Sequence, residues 1–118
     1  TAPYLQYAYS RIRSIFRKAN LECGPIVLTE EAENALATKL TAFPETVRQV
    51  ADKAMPHLLC SYLFELSGTF MRFYEACPIL KEGIAPEVAQ SRLSLCDLTA
   101  RVLKQGLDLL GINVMEQM

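Results

Sequence analysis

The stretch HLLCSYLFELSGTFMRFYEAC, residues 57–77, decides the fold class of this chain. Leu59, Leu63, Leu66, Phe70, Phe73 and Cys77 recur at i+3 and i+4, the period of one helical face. Pro56 fits the first turn, where a missing N–H is no loss. Pro78 and the Lys81–Gly83 stretch interrupt the pattern at the other end. Outward toward the C-terminus, Pro86 starts a further helix with Leu93, Cys96, Ala100, Leu103, Leu107 and Leu110 along one face, and Gly111 is a natural stop. Outward toward the N-terminus, Pro44 opens a short helix with Val47, Val50, Ala51 and Ala54 at 3–4 spacing. Before it, Ala32, Leu36 and Leu40 mark a helix over about 30–42. Thr29 is its expected N-cap, and Glu30, Glu31 and Glu33 sit at the positive end of its dipole. Asn20 to Leu28, with Gly24-Pro25, reads as a loop, and residues 3–19 as a first helix with Pro3 in its first turn. No period-2 alternation runs long enough for a sheet. The expectation is an all-α bundle of about five helices, one domain over 1–118.

The composition agrees. A chain of 118 residues is one domain's worth, and 51% hydrophobic against 21% charged residues, with only five glycines, excludes disordered and collagen-like classes. No apolar run approaches the roughly 20 residues of a membrane span. Thr1 to Gln6 lacks the charged and apolar regions of a secretory signal. With no initiator Met, Thr1 reads as a cut inside a longer polypeptide. Cysteines 23, 60, 77 and 96 form no CxxC pair. Cys60, Cys77 and Cys96 fall in apolar helical patterns, so they are expected to be buried and reduced, consistent with the cytosol.

Catalytic chemistry has little to work with. The sequence contains no phosphate-binding glycine loop, no HExxH and no GxSxG. The single histidine, His57, follows Pro56 at a helix start. It is expected as a cap-region residue rather than a metal ligand with Cys60. No metal site is expected, and the domain alone is not expected to be an enzyme.

Charge sets the first helix apart. The net charge of −1 argues against a generic basic nucleic-acid binder, yet it hides its distribution. Residues 1–20 hold Arg11, Arg13, Arg17 and Lys18 and none of the thirteen acids, giving +4 there and −5 for the remainder. Such a localised footprint is what a nucleic-acid contact needs. At 100° per residue, Ala8, Ile12, Ile15 and Ala19 form the apolar centre, with Leu5 and Phe16 on one flank and Tyr9 near the buried arc. Tyr4, Tyr7 and Arg11 form a row on the opposite flank. Tyrosines at such a boundary can stack on splayed bases beside an arginine on phosphate; they can equally be core rim with wet hydroxyls.

YLQYAYSRIRSIFRKA (4–19), HLLCSYLFELSGTFMRFYEACPIL (57–80) and SRLSLCDLTARVLKQGLDLLGINVMEQM (91–118) together resemble the C-terminal, DALR anticodon-binding domain of arginyl-tRNA synthetase. The likeness covers most of the chain in order, and GINVMEQM looks like the family's natural end. Tyr9 stands where a histidine is common. The resemblance implies anticodon-loop recognition by a class I synthetase, an ATP- and Mg-dependent arginine–tRNA ligase of the cytoplasm. The catalytic domain, with its HIGH-like and KMSK-like motifs, would lie elsewhere in the same polypeptide. It also implies that Tyr4, Tyr7, Arg11, Tyr62 and Met118 meet the anticodon loop, with Arg13, Arg17 and Lys18 as supporting phosphate contacts. All arginine codons (CGN, AGA, AGG) have G in the middle, so such a domain should read a middle cytosine tightly. Alternatives are the corresponding domain of a cysteinyl or glycyl enzyme, which the YxQYAxSR segment argues against, and a helical protein–protein interaction module. The last would present an exposed apolar patch in place of a tyrosine–arginine row.

Overall fold

Five helices account for most of residues 2–112, which are the residues described by the computed structural model. They are α1 (Ala2–Lys18), α2 (Glu31–Thr41), α3 (Phe43–Lys53), α4 (Pro56–Ala76) and α5 (Pro86–Leu109). No strand occurs among the described residues, so the all-α expectation holds, with helix ends within one or two positions of those read from the sequence. Prolines open α3, α4 and α5, where their fixed φ suits a first turn.

The start of α2 differs in detail. Its N-cap is Glu30, not Thr29, because Glu33 reaches back one turn. Glu33 Oε1 accepts from the backbone N–H of Glu30 and of Thr29, both at 2.8 Å, and from the Thr29 hydroxyl at 3.2 Å. Thr29 thus serves the same cap from one residue further out. At the other end of the fold, Gly111 at φ 77° ends α5 as the sequence expects. Gly111 N–H donates to Asp108 O and Ile112 N–H to Leu107 O, at 3.0 and 2.8 Å, the paired bonds of a Schellman stop.

The core forms around α4, which packs against all four other helices. Leu63 and Leu66 from α4, Leu5 and Ile12 from α1, Leu36 from α2, and Leu93, Leu103 and Leu107 from α5 are fully shielded from water. At the α4–α5 crossing, a Cβ added to Gly106 would lie 2.6 Å from a Leu63 methyl, so only glycine lets the two axes approach this closely.

Two polar features tie the bundle's far end. The segment between α1 and α2 runs extended along the start of α5. Gly24 N–H donates to Gln90 O at 3.1 Å, Val27 N–H to Ser91 Oγ at 2.9 Å, and Ser94 Oγ to Gly24 O. Beneath it, Arg92 donates to Glu33 Oε2 at 2.9 Å and to Pro78 O at 2.7 Å. Burial alone would raise the Glu33 pKa. The hydrogen bonds from Arg92, Glu30 and Thr29 outweigh it and hold the carboxyl below its ordinary value.

The cysteines are four free thiols: Cys77 and Cys96 buried, Cys60 half-buried and Cys23 exposed. Cys60 therefore departs from the core expectation, because it lies beside Leu59 at the edge of the α4 stripe. Burial pushes the Cys96 thiol up to about 12, so it is an inert core group. Among the described residues no helix is long and apolar enough to cross a membrane.

Candidate nucleic-acid interface

Helix α1 buries Leu5, Ala8, Ile12 and Ile15 and leaves Tyr4 and Tyr7 39% and 49% exposed. The row expected on its flank therefore faces solvent. Arg11, one turn after Tyr7, donates from Nη1 to the Tyr7 hydroxyl at 3.1 Å, with its guanidinium 5.6 Å from that ring's centre. Tyr4 does not stand alone. Its ring meets Phe64 of α4 at a centroid distance of 5.3 Å and an angle of 44°, and Phe64 is half exposed. Two aromatic rings from two helices thus make one outward-facing platform.

Beside this platform runs a groove between α1 and α4, of about 220 Å³. Arg11, Ser14, Ile15 and Lys18 form the α1 wall, Phe70, Met71 and Tyr74 the α4 wall, and Leu80 closes it from the corner between α4 and α5. The Tyr74 ring lies nearly parallel to Phe70, 16° apart with centroids at 6.1 Å. No acid lines this groove, while Arg11 and Lys18 do. An apolar, aromatic wall with two cations and no carboxylate suits a flat ring attached to an anion.

Two of the expected site residues, Tyr62 and Arg13, are engaged within the fold. Tyr62 is only 5% exposed, and its hydroxyl donates to Lys39 O at 2.6 Å. Its ring packs on Phe43 at 5.9 Å, and burial pushes its pKa up to about 12. The reason is register: position 62 follows Leu59 by three and precedes Leu66 by four, which puts it on the core stripe. Arg13, expected as a supporting phosphate contact, is already occupied by neighbours in the fold. Its guanidinium sits 5.5 and 5.4 Å from the Tyr9 and Phe16 ring centres and pairs with Asp97 at 3.4 Å. Asp97 is shared with Arg101 at 2.9 Å. Met118 lies outside the described residues. Arg17 and Lys18 are exposed at the end of α1.

Phe64 and Tyr74 are absent from the residues that sequence reasoning selects. Phe64 carries a usable signal: it is a large aromatic off the 59–63–66–70–73 stripe, so it has to point away from the core. Tyr74 follows Phe70 by four and gives no such signal. His57 is exposed in the first turn of α4, and among the described residues no three His, Cys, Asp or Glu side chains stand together as a metal site.

The chain as a whole is similar to known proteins. The profile of the DALR anticodon binding domain matches residues 5–118. The arginine–tRNA ligase of Cellvibrio japonicus is 59% identical over all of this chain, and that of Pseudoalteromonas translucida 54%. The chain spans only 21% of the length of each. Among solved structures, the Thermus thermophilus arginyl-tRNA synthetase superposes with a TM-score of 0.89 at 38% identity, over 98% of this chain and 21% of that one. The Plasmodium falciparum arginyl-tRNA synthetase gives 0.84 at 32% identity with the same coverage.

Proposed function

This chain belongs to the DALR anticodon binding domain family, and on that premise we propose that it binds the anticodon loop of arginine tRNA. The binding part is then the terminal fifth of an arginine–tRNA ligase. One observation carries the reading: exposed aromatic rings from α1 and α4 adjoin an acid-free groove rimmed by Arg11 and Lys18. Sequence-specific RNA recognition targets unstacked loop bases, which need flat apolar faces to stack on and cations to hold their phosphates. Tyr4 with Phe64, and Tyr7, offer the first. Arg11 and Lys18 offer the second. A middle cytosine, common to all arginine anticodons, would insert between α1 and α4, where Arg11 and the hydroxyls of Tyr7 and Tyr74 can meet its edge.

Ligation itself is assigned to the rest of the polypeptide, a cytoplasmic enzyme using ATP and Mg. The sequence has no phosphate loop, and among the described residues no three His, Cys, Asp or Glu side chains stand together.

The test is a titration with arginine anticodon stem-loops carrying C, U, A or G at the middle position, at two salt concentrations. The tightest binding is expected for C, weakening as salt rises. Equal affinity for all four loops would refute a specific reader. A helical protein-interaction module draws on the exposed Ile26, Val27, Leu28 and Val88 beside the start of α5, and it predicts indifference to every one of these RNAs.

A further inference from the structure

The buried ion pair at the far end of the bundle reaches the groove. Arg92 is 7% exposed and Glu33 1% exposed, so neither charge is there for solubility. A buried pair of this kind is a weak source of stability, because desolvation offsets most of the attraction. Its geometry, however, is that of a post. Glu33 is fixed from one side by the backbone of Thr29 and Glu30 and by the Thr29 hydroxyl. From the other side it holds Arg92 Nε, which leaves Nη1 to grip the carbonyl of Pro78 at 2.7 Å. Pro78 begins the corner between α4 and α5. Ile79 is buried next to it, and Leu80, 46% exposed, swings back to close the groove between Arg11 and Tyr74. The corner is also held by Cys77 and Ile79, both buried, by Ile84 packed against the core, and by the turn bond from Ile84 N–H to Lys81 O, at 3.4 Å.

We infer that Arg92 is a positioning residue for the α1–α4 groove: through Pro78 it sets the place of Leu80 against the bound nucleotide. The inference rests on the RNA-binding reading above. Arginine suits this task better than lysine, since its rigid fork aims two separate nitrogens at the carboxylate and the carbonyl, whereas lysine has one ammonium to share between them.

The experiment measures affinity of the 118-residue chain for the arginine anticodon stem-loop, below the melting transition of each variant. Arg92→Lys keeps a charge opposite Glu33 and gives up the grip on Pro78. Leu80→Ala removes the wall without touching the core. Each should weaken binding about fivefold, and Arg92→Lys placed in the Leu80→Ala background should cost nothing more, because both act through one contact. Wild-type affinity in either single variant would overturn the inference. So would additive losses in the double variant, which would mark Arg92 as merely structural. If the wild-type chain itself fails to bind the stem-loop while Tyr4, Tyr7 and Arg11 are intact, the functional reading falls first and this inference with it.

Discussion

Helix α1 carries the same pair of residues twice, and the two copies have opposite fates. Tyr7–Arg11 and Tyr9–Arg13 are each a tyrosine with an arginine one turn on. In each the arginine donates to the phenolic oxygen, at 3.1 and 3.4 Å, and lies near the ring, at 5.6 and 5.5 Å. Tyr9 is 4% exposed, and its arginine is neutralised by Asp97 of α5. Tyr7 is half exposed, and the groove into which its arginine leads has no carboxylate in its walls. A tyrosine–arginine pair therefore has no fixed meaning. What the neighbouring helix brings to it decides between scaffold and binding surface.

This contrast can be broken by substitution. The largest effect is expected for Tyr9→Ala, which empties a core position and should cost about 3–5 kcal/mol in a urea titration. Tyr7→Ala should change stability by only about 0.5 kcal/mol. If the two melt alike, the flanks are not different in kind. On RNA the order reverses: Tyr7→Ala should weaken stem-loop binding by about 1–3 kcal/mol, the value of one base–aromatic stack, measured by fluorescence anisotropy. The arginines sharpen the point. Arg11→Ala should reduce the slope of log affinity against log salt by about 1, and Arg13→Ala should leave it unchanged. The smallest effect belongs to Asp97→Asn. Losing its two partly exposed pairs, with Arg13 and Arg101, should lower stability by about 0.2–1 kcal/mol each. It should also free Arg13 enough to steepen the salt dependence slightly. A wild-type slope would show that Asp97 does not mask Arg13.

The helices were legible because each is written in a local code, a proline or cap at the start and a 3–4 apolar stripe, with a glycine stop after α5. Gly111 is the cleanest instance, its positive φ and paired backbone bonds following from one residue. The α1 row was legible for the same reason, since Tyr4, Tyr7 and Arg11 fall on one flank of a single helix. Tyr62 and Phe64 show the limit. They are two residues apart in one helix, and the family likeness draws attention to Tyr62. The stripe through Leu59 and Leu66 buries Tyr62 and turns Phe64 outward toward Tyr4, a partner some sixty positions away in sequence. Arg13 shows a related limit: its neutralising partner lies on α5, and charge counting along one segment does not see it. Contacts between helices carry the rest of the site, and spacing within a helix does not encode them.

The most direct test of the account is an amide chemical-shift titration of this chain with the arginine anticodon stem-loop. Changes are expected at Tyr4, Tyr7, Arg11 and Lys18 of α1, at Phe64 and Tyr74 of α4, and at Leu80. The opposite flank, Tyr9, Arg13, Asp97 and Arg101, should stay still. Changes centred on that opposite flank, with the groove unmoved, would contradict it.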